Sequence, residues 1–295
     1  MRAKLSAMKT EIPLVSSVLH PTDFSDASNR AFAHALAIAL LRQTELTILN
    51  VGEESKDDVA WSSFPQVRKI LERWNLLEPG SARSAVYDEL NVEVRKLAVR
   101  SRNPIRATIE FLDHQPHELV VLATEGSRGR EDWLYRSEAE AIARGSDAMT
   151  LFVPNRSHRG LVSLENGDLN LRNILMPIDA AIRFTAAIEF SRRAAEIIGD
   201  GDVVITLLHV GEQMPPIPEL PEGTGWTWQT ALRHGEPVES ILGAMDDLNA
   251  DLIVMTTNGR DTLRQALAGS TTERVLRKAD CPVLAVPDGK YRTAD

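Results

Sequence analysis

The chain has 295 residues, enough to bury two cores of ordinary domain size. With 43% hydrophobic and 25% charged residues it has a globular composition, which excludes collagen-like, disordered and disulfide-framework classes. A net charge of -9, with no Lys/Arg stripe to override it, argues against a nucleic-acid partner, and the lack of ~18 uninterrupted apolar residues argues against a membrane span.

The N-terminal stretch carries Arg2, Lys4 and Lys9, but Glu11, Pro13 and His20 cut its apolar run and no small-residue cleavage site follows. It does not read as a secretion signal. Residues 15–19 form a short apolar run ending at Pro21-Thr22-Asp23, which predicts a first strand. Residues 27–41 are rich in Ala and Leu, with apolar positions at i, i+3 and i+4, and predict a helix. A second strand is expected over 45–51. Within residues 54–90, the stretch 66–77 reads as a helix with Val67, Ile70, Leu71 and Trp74 on one stripe, an embellishment expected to pack on its own domain. A third strand near 92–100 is followed by Asn103-Pro104, which opens another helix. Residues 113–118 gather Asp113, His114, His117 and Glu118 in a short connection that reads as a solvated loop and not as a metal site. The fourth strand, 119–123, is almost wholly apolar, as a strand covered on both faces must be. Residues 155–168, where Ser, Arg, His, Gly and Asn cluster, read as a linker, giving domains at 1–158 and 159–295.

The same order then returns. Strands are expected at 173–176, 203–210, 227–233 and 252–255, with helices over 185–198 and after Glu236-Pro237. Residues 121–154 align without a gap on 254–287, identical at eleven of thirty-four positions, too many for chance. Upstream, His20-Pro21-Thr22-Asp23 lies against Met176-Pro177-Ile178-Asp179, and Asn50-Val51-Gly52-Glu53 against His209-Val210-Gly211-Glu212. The chain is a duplication, and alternation of strand and helix in each copy predicts two tandem α/β domains with open parallel, Rossmann-like sheets. The first copy is about 26 residues longer between its second and third strands, and 214–225, rich in proline and glycine, is expected as the loop that replaces this insertion. Cys281, the single cysteine, excludes an intrachain disulfide, fits a reducing compartment, and reads as a small buried hydrophobe among Pro282, Val283 and Leu284.

The most informative segment is Thr256-Thr257-Asn258-Gly259, nine residues, then Gly269-Ser270-Thr271, just after a fourth strand and leading into a helix over 272–279. Glycine at a strand's carboxyl end allows close backbone approach to a ligand, and free N–H groups with a hydroxyl at a helix start attract phosphate oxygens. In an open parallel sheet the crevice lies where neighbouring connections leave to opposite faces, beside the first strand and Asp179. The plainer alternative is that Gly259 and Gly269 only shape turns.

On these residues the chain resembles the universal stress protein family, whose ATP-binding members carry Gly-x-x-Gly, nine residues, then Gly-Ser/Thr, with a Pro-Thr-Asp turn after strand one. Pro21-Thr22-Asp23-Phe24-Ser25 and Asp280-Cys281-Pro282-Val283-Leu284 are also close to family patterns. The resemblance covers nearly the whole chain twice and implies the adenine nucleotide α-hydrolase-like fold. It implies that Asp179 and Val210 contact adenosine, that Met255 and Thr256 line the site, and that Gly259, Gly269, Ser270 and Thr271 serve phosphate. Thr256 stands where the family has its first glycine, and Ile178, at the adenosine end, where it has threonine. In the first copy, Thr124-Glu125-Gly126 is followed nine residues later by Arg136-Ser137, so that copy is expected to be degenerate toward a phosphate tail, although Arg136 is itself able to pair with one.

The resemblance therefore implies a cytoplasmic regulatory or stress-response protein whose second domain binds ATP, with or without Mg, or a related adenine nucleotide, and works through an unidentified protein partner. The alternative is a nucleotide-free, dimeric scaffold of the same family. No Gly-x-Ser-x-Gly elbow, Walker-type Gly-x-x-x-x-Gly-Lys or Gly-x-Gly-x-x-Gly after a first strand is present, so no catalytic residue is assigned and at most slow ATP hydrolysis is expected. His209 reads as a packed residue. Dimers of the family pair their last strands, which implies that 148–153 and 282–286 pair within this chain as a pseudo-dimer, with a homodimer of chains left open.

Overall fold

The structure, a computed structural model, describes residues 15–53, 59–124, 133–146, 148–155, 160–179, 183–199, 201–257 and 271–287, with backbone alone at 133–137. In the first half β1 (Ser17–Thr22), β2 (Glu45–Gly52), β3 (Val94–Arg100), β4 (Leu119–Thr124) and β5 (Met149–Pro154) alternate with α1 (Asp26–Arg42), α4 (Pro104–His114) and α5 (Trp133–Gly145). Two short helices, α2 (Val67–Arg73) and α3 (Ala85–Asp88), belong to the insertion. The second half supplies β6 (Asn173–Pro177), α6 (Thr185–Ile198), β7 (Val203–Val210), β8 (Trp226–Arg233), α7 (Pro237–Asp247), β9 (Leu252–Thr257), α8 (Thr271–Lys278) and β10 (Val283–Pro287).

All ten strands form one sheet in the order β3-β2-β1-β4-β5-β10-β9-β6-β7-β8. Each half has the same parallel order, and the halves meet where β5 and β10 pair antiparallel, with Val283 opposite Phe152 and Ala285 opposite Thr150. The expected pairing of the two last strands is therefore present within the chain. β5 is buried along its whole length because it lies at the centre of the ten-stranded sheet, which explains its apolar run.

Successive strand residues serve opposite faces. Val18, Val121 and Val254 pack under α1 and α6, whereas Leu19, Val120 and Ile253 pack under α4, α5, α7 and α8. Helix starts are set locally: Ser25 accepts from the Ser28 amide at α1, and Asn103 and Glu236 do the same for Arg106 and Glu239 ahead of the N1 prolines of α4 and α7. Residues 214–225 lack helix and strand, as expected, and the indoles of Trp226 and Trp228 donate to the Pro221 carbonyl.

One expectation needs correction, at His117. The described part of the 155–168 linker and the residues after it are packed: Leu161 and Leu171 are buried, Val162 and Leu169 form an isolated bridge, and the Leu161 amide donates to His34 Nε2 at 3.2 Å. The insertion, which packs on its own domain as expected, also holds this segment, since Trp74 Nε1 donates to the Leu164 carbonyl and Gly167 sits on the indole with φ +73°. Polar composition hid the apolar Leu161-Val162 pair that docks there. A Cβ at Gly167 would lie 2.6 Å from the Trp74 ring. Gly167→Ala is thus expected to lower stability by roughly 1–3 kcal/mol, through both the positive φ and the overlap; a urea midpoint equal to wild type would show that the segment is not held against Trp74. The correction concerns His117, which is buried against Phe111 with Nδ1 against the Gln115 carbonyl, instead of lying in a solvated loop.

Candidate functional site

In each half the crevice expected for this strand order opens at the carboxyl ends of the first and fourth strands. In the first half its wall is the turn Thr22-Asp23-Phe24-Ser25. Asp23 Oδ1 accepts from the Ser25 amide at 3.0 Å and from its hydroxyl at 2.6 Å, and Thr22 Oγ1 accepts from the Phe24 amide at 3.1 Å. Asn50, at the end of β2, donates to the Thr22 carbonyl at 2.8 Å. These bonds hold Phe24 at φ 64°, an uncommon conformation for an aromatic residue. The insertion braces it further, because Phe24 packs edge-on to Phe64, which stacks on the exposed Trp61.

Beneath the turn, Ser28 Oγ lies 2.7 Å from Thr22 Oγ1 and 3.2 Å from His20 Nε2, while His20 Nδ1 donates to the Val121 carbonyl at 3.0 Å. Burial pushes His20 down to about 4, against the smaller opposing effects of that carbonyl and of Asp23, so the ring is neutral at pH 7. Its role is to tie β1, β4 and α1 together under the crevice.

The crevice contains a cavity of about 360 Å³. Among its lining residues are Thr22, Asp23, Val51, Leu122, Ala123 and Glu138. Under the internal repeat these occupy the positions of Ile178, Asp179, Val210, Met255, Thr256 and Thr271, so six positions singled out in the second half converge on one cavity in the first. Asp26, Ser28 and Thr108 also line it and were not singled out from sequence; nor was Glu138, although its gapless alignment with Thr271 carried the signal. Burial, and then the charge of Asp23, push the Glu138 carboxyl above the usual carboxylate range.

In the second half, Asp179 is exposed just beyond β6, Val210 is half-buried at the end of β7, and Met255 is buried beneath α7 and α8. Ile178 is buried in the core under α6; its amide donates to the Leu208 carbonyl and its carbonyl accepts from His209 Nδ1, which is the packing expected of His209. Thr256 Oγ1 is enclosed and has no hydrogen-bond partner among the described residues. Thr271 is half-buried as the first residue of α8. Gly259, Gly269 and Ser270 lie outside the described residues, as do Glu125, Gly126 and the side chain of Arg136. Among the described residues no group of His, Cys, Asp and Glu is arranged to hold a metal ion, and no helix is long and apolar enough to cross a membrane.

A family model described as the universal stress protein family matches residues 15–154 and 219–287. A universal stress protein of Synechocystis sp. is 28% identical over 151 residues, covering 44% of this chain and 94% of that protein. Another, of Methanocaldococcus jannaschii, is 37% identical over 79 residues, covering 27% of this chain but only 46% of the relative's own length. Among solved structures, a universal stress protein from Archaeoglobus fulgidus shares the fold with a TM-score of 0.62 at 18% identity, covering 94% of this chain and all of that one.

Proposed function

Because this chain belongs to the universal stress protein family, we propose that it is a cytoplasmic regulatory or stress-response protein whose second half binds ATP or a related adenine nucleotide. The observation that carries the reading is Thr256 Oγ1, an enclosed hydroxyl without a partner among the described residues, at a position whose counterpart, Ala123, lines the first-half cavity. Buried polar groups are ordinarily satisfied, so an orphaned one at the position equivalent to a wall of the first-half cavity favours a ligand atom there. Val210 and Met255 offer an apolar slot for a base, and Asp179 an exposed acceptor for its amino group. The first turn of α8, opened by Thr271-Thr272, has amide donors and a favourable dipole for phosphate oxygens. Bound nucleotide would be reported to an as yet unidentified protein partner through this chain's own turn after β6 and the start of α8, with no catalytic group required.

The test is to denature protein purified from cells, identify released nucleotide by chromatography, and titrate MgATP into wild type and Gly269→Arg. About one nucleotide per chain, lost in the variant, is the expected result. No released nucleotide and no binding heat would overturn the reading and leave a nucleotide-free scaffold.

A further inference from the structure

The two outer edges of the ten-stranded sheet, β3 and β8, are repeat equivalents that differ in what guards them. Val51 pairs with Val99 and its equivalent Val210 with Arg233, so Arg95, Lys96 and Ala98 correspond to Gln229, Thr230 and Leu232. On β3 the insertion lies over the charged edge: the Lys96 ammonium is 5.9 Å from the Phe64 ring centre, and Ala98 is buried at 9% exposure. Charge and cover are the usual means of keeping an edge strand from pairing with another chain. β8 lacks both devices. The loop 214–225 that replaces the insertion is anchored at the amino end of the strand, on Trp226 and Trp228. Arg233, the one charged residue of β8, is turned to Asp247 of α7, and Leu232 is 42% exposed.

The ladder with β7 fixes which backbone groups of β8 face outward. The Val203 and Gly211 amides donate to the Gly225 and Arg233 carbonyls, so the odd-numbered residues address β7, and the N–H and C=O groups of Trp226, Trp228, Thr230 and Leu232 point away from the sheet. Among the described residues nothing bonds to those outward groups. By alternation their side chains share the α6 face, where Trp226 and Trp228 pack on the core, while Gln229 is exposed on the α7 face beside Ala231.

A partner strand must set outward groups against outward groups, which leaves few registers for a twofold antiparallel match. With the axis at Gln229, Trp226 exchanges both N–H···O bonds with the partner's Leu232, and Trp228 with the partner's Thr230. The exposed Leu232 then lies beside an indole, and Gln229 meets the partner's Gln229 at the axis, where two amides can bond to each other. Arg233 falls opposite the partner's Gly225, so no charge faces a like charge. Registers centred on Trp228 or Thr230 leave Leu232 or Trp226 outside the paired strands. This self-match is what a second copy of the chain requires and a strand of another protein does not.

We propose that two copies of this chain associate through β8, antiparallel about a twofold axis at Gln229, and so join their sheets into one. The pairing is isologous and occupies the open edge of both copies, so assembly closes at the dimer while β3 stays blocked. A single strand pair with its flanking side chains makes a small interface, and the dimer therefore forms reversibly with concentration. The assignment is independent of nucleotide binding in the second half.

The test is sedimentation of the full chain from about 1 to about 300 µM, without nucleotide, for wild type, Gln229→Arg, Gln229→Glu and an equal mixture of the two variants. Gln229→Arg copies the first-half Arg95, and Gln229 is exposed, so circular dichroism should show both variants folded like wild type. Wild type is expected to pass from monomer to dimer across the range and no further. Each variant alone should dimerise about tenfold or more weakly, because like charges then meet at the axis. The mixture should recover the dimer by setting opposite charges there. A wild type that stays monomeric, assembly beyond the dimer, a dimer indifferent to both variants, or a mixture no stronger than its components would each overturn the proposal.

Discussion

Lowering the pH from 6.5 to 4 is expected to remove a large part of this chain's stability, through His20 and His34. Both rings are fully buried and neutral, and burial lowers each from 6.5 to about 4. His34 Nδ1 donates to the Arg30 carbonyl, and Nε2 accepts from the Leu161 amide, so protonation would set an N–H against an N–H. The unfolded chain takes up these protons near pH 6.5 and the folded chain only near 4. Their contribution is therefore complete above 6.5, falls as the pH drops through that window, and is gone below 4. A drop from 6.5 to about 4 corresponds to roughly 3 kcal/mol for each histidine, a large fraction of the ~5–15 kcal/mol by which domains are ordinarily stable. His117, also lowered by burial, acts in the same direction. Against the cost of burial, Glu45 is held below the usual carboxylate range by Thr47 and Arg95, and Glu189 by Arg192 and Arg193, so their contributions vanish only as the pH falls below about 4.5. Glu138 and Glu140, whose carboxyls are raised, work the other way, gaining stability on protonation. Urea midpoints at pH 7.5, 6 and 5 should therefore decline steadily in wild type and much less in His20→Gln/His34→Gln. A flat wild-type profile across that range would refute the prediction.

The second large effect is expected where α5 and α8 meet across the seam. Glu140 and Glu273 are repeat equivalents, and both carboxylates are buried, at 5% and 4% exposure. Arg277 serves both, with Nε and Nη2 at 3.1 and 3.2 Å from the Glu140 oxygens and Nη2 also on Glu273. Burial raises Glu140 above the usual carboxylate range, Arg277 opposes this, and the charge of Glu273 adds to it. Removing the guanidinium would leave two buried acids facing each other. Arg277→Met is expected to cost roughly 2–4 kcal/mol at pH 7.5, below the full penalty of a broken buried pair because the Arg277 side chain is half exposed. The loss should shrink near pH 5, where one acid can take a proton, and Glu140→Gln/Arg277→Met should be more stable than Arg277→Met alone. A single variant within about 0.5 kcal/mol of wild type, the scatter of ordinary surface changes, would mean that the cluster is solvated and contributes nothing.

The two clusters illustrate what was legible before any fold was known. Strands such as 119–124 and helices such as 185–198 follow from periodicity and from the punctuation of Pro21, Pro104, Pro177 and Pro237, which act within a few residues of themselves. The duplication was equally plain, and with it the equivalence of Asp23 with Asp179 and of Val51 with Val210. Parts that depend on distant partners were not legible: the packing of the linker could not be read because the groups that hold it, His34 and Trp74, are far away in the chain. His117 looked solvated because Phe111 covers it only once α4 has turned back onto the sheet.

Periodicity, turn chemistry and the internal repeat, all readable along the chain, determined two copies of a parallel α/β unit and the positions around each crevice. Tertiary structure alone decided which side chains converge, because the walls of the crevice come from separate segments of the chain, around Asp23, Val51, Thr108, Leu122 and Glu138. It brought Glu138 to Asp23, set Arg277 between two equivalent glutamates, and buried His20 and His34 deeply enough to hold them neutral. Burial and charge act through space, and only the folded chain sets those distances.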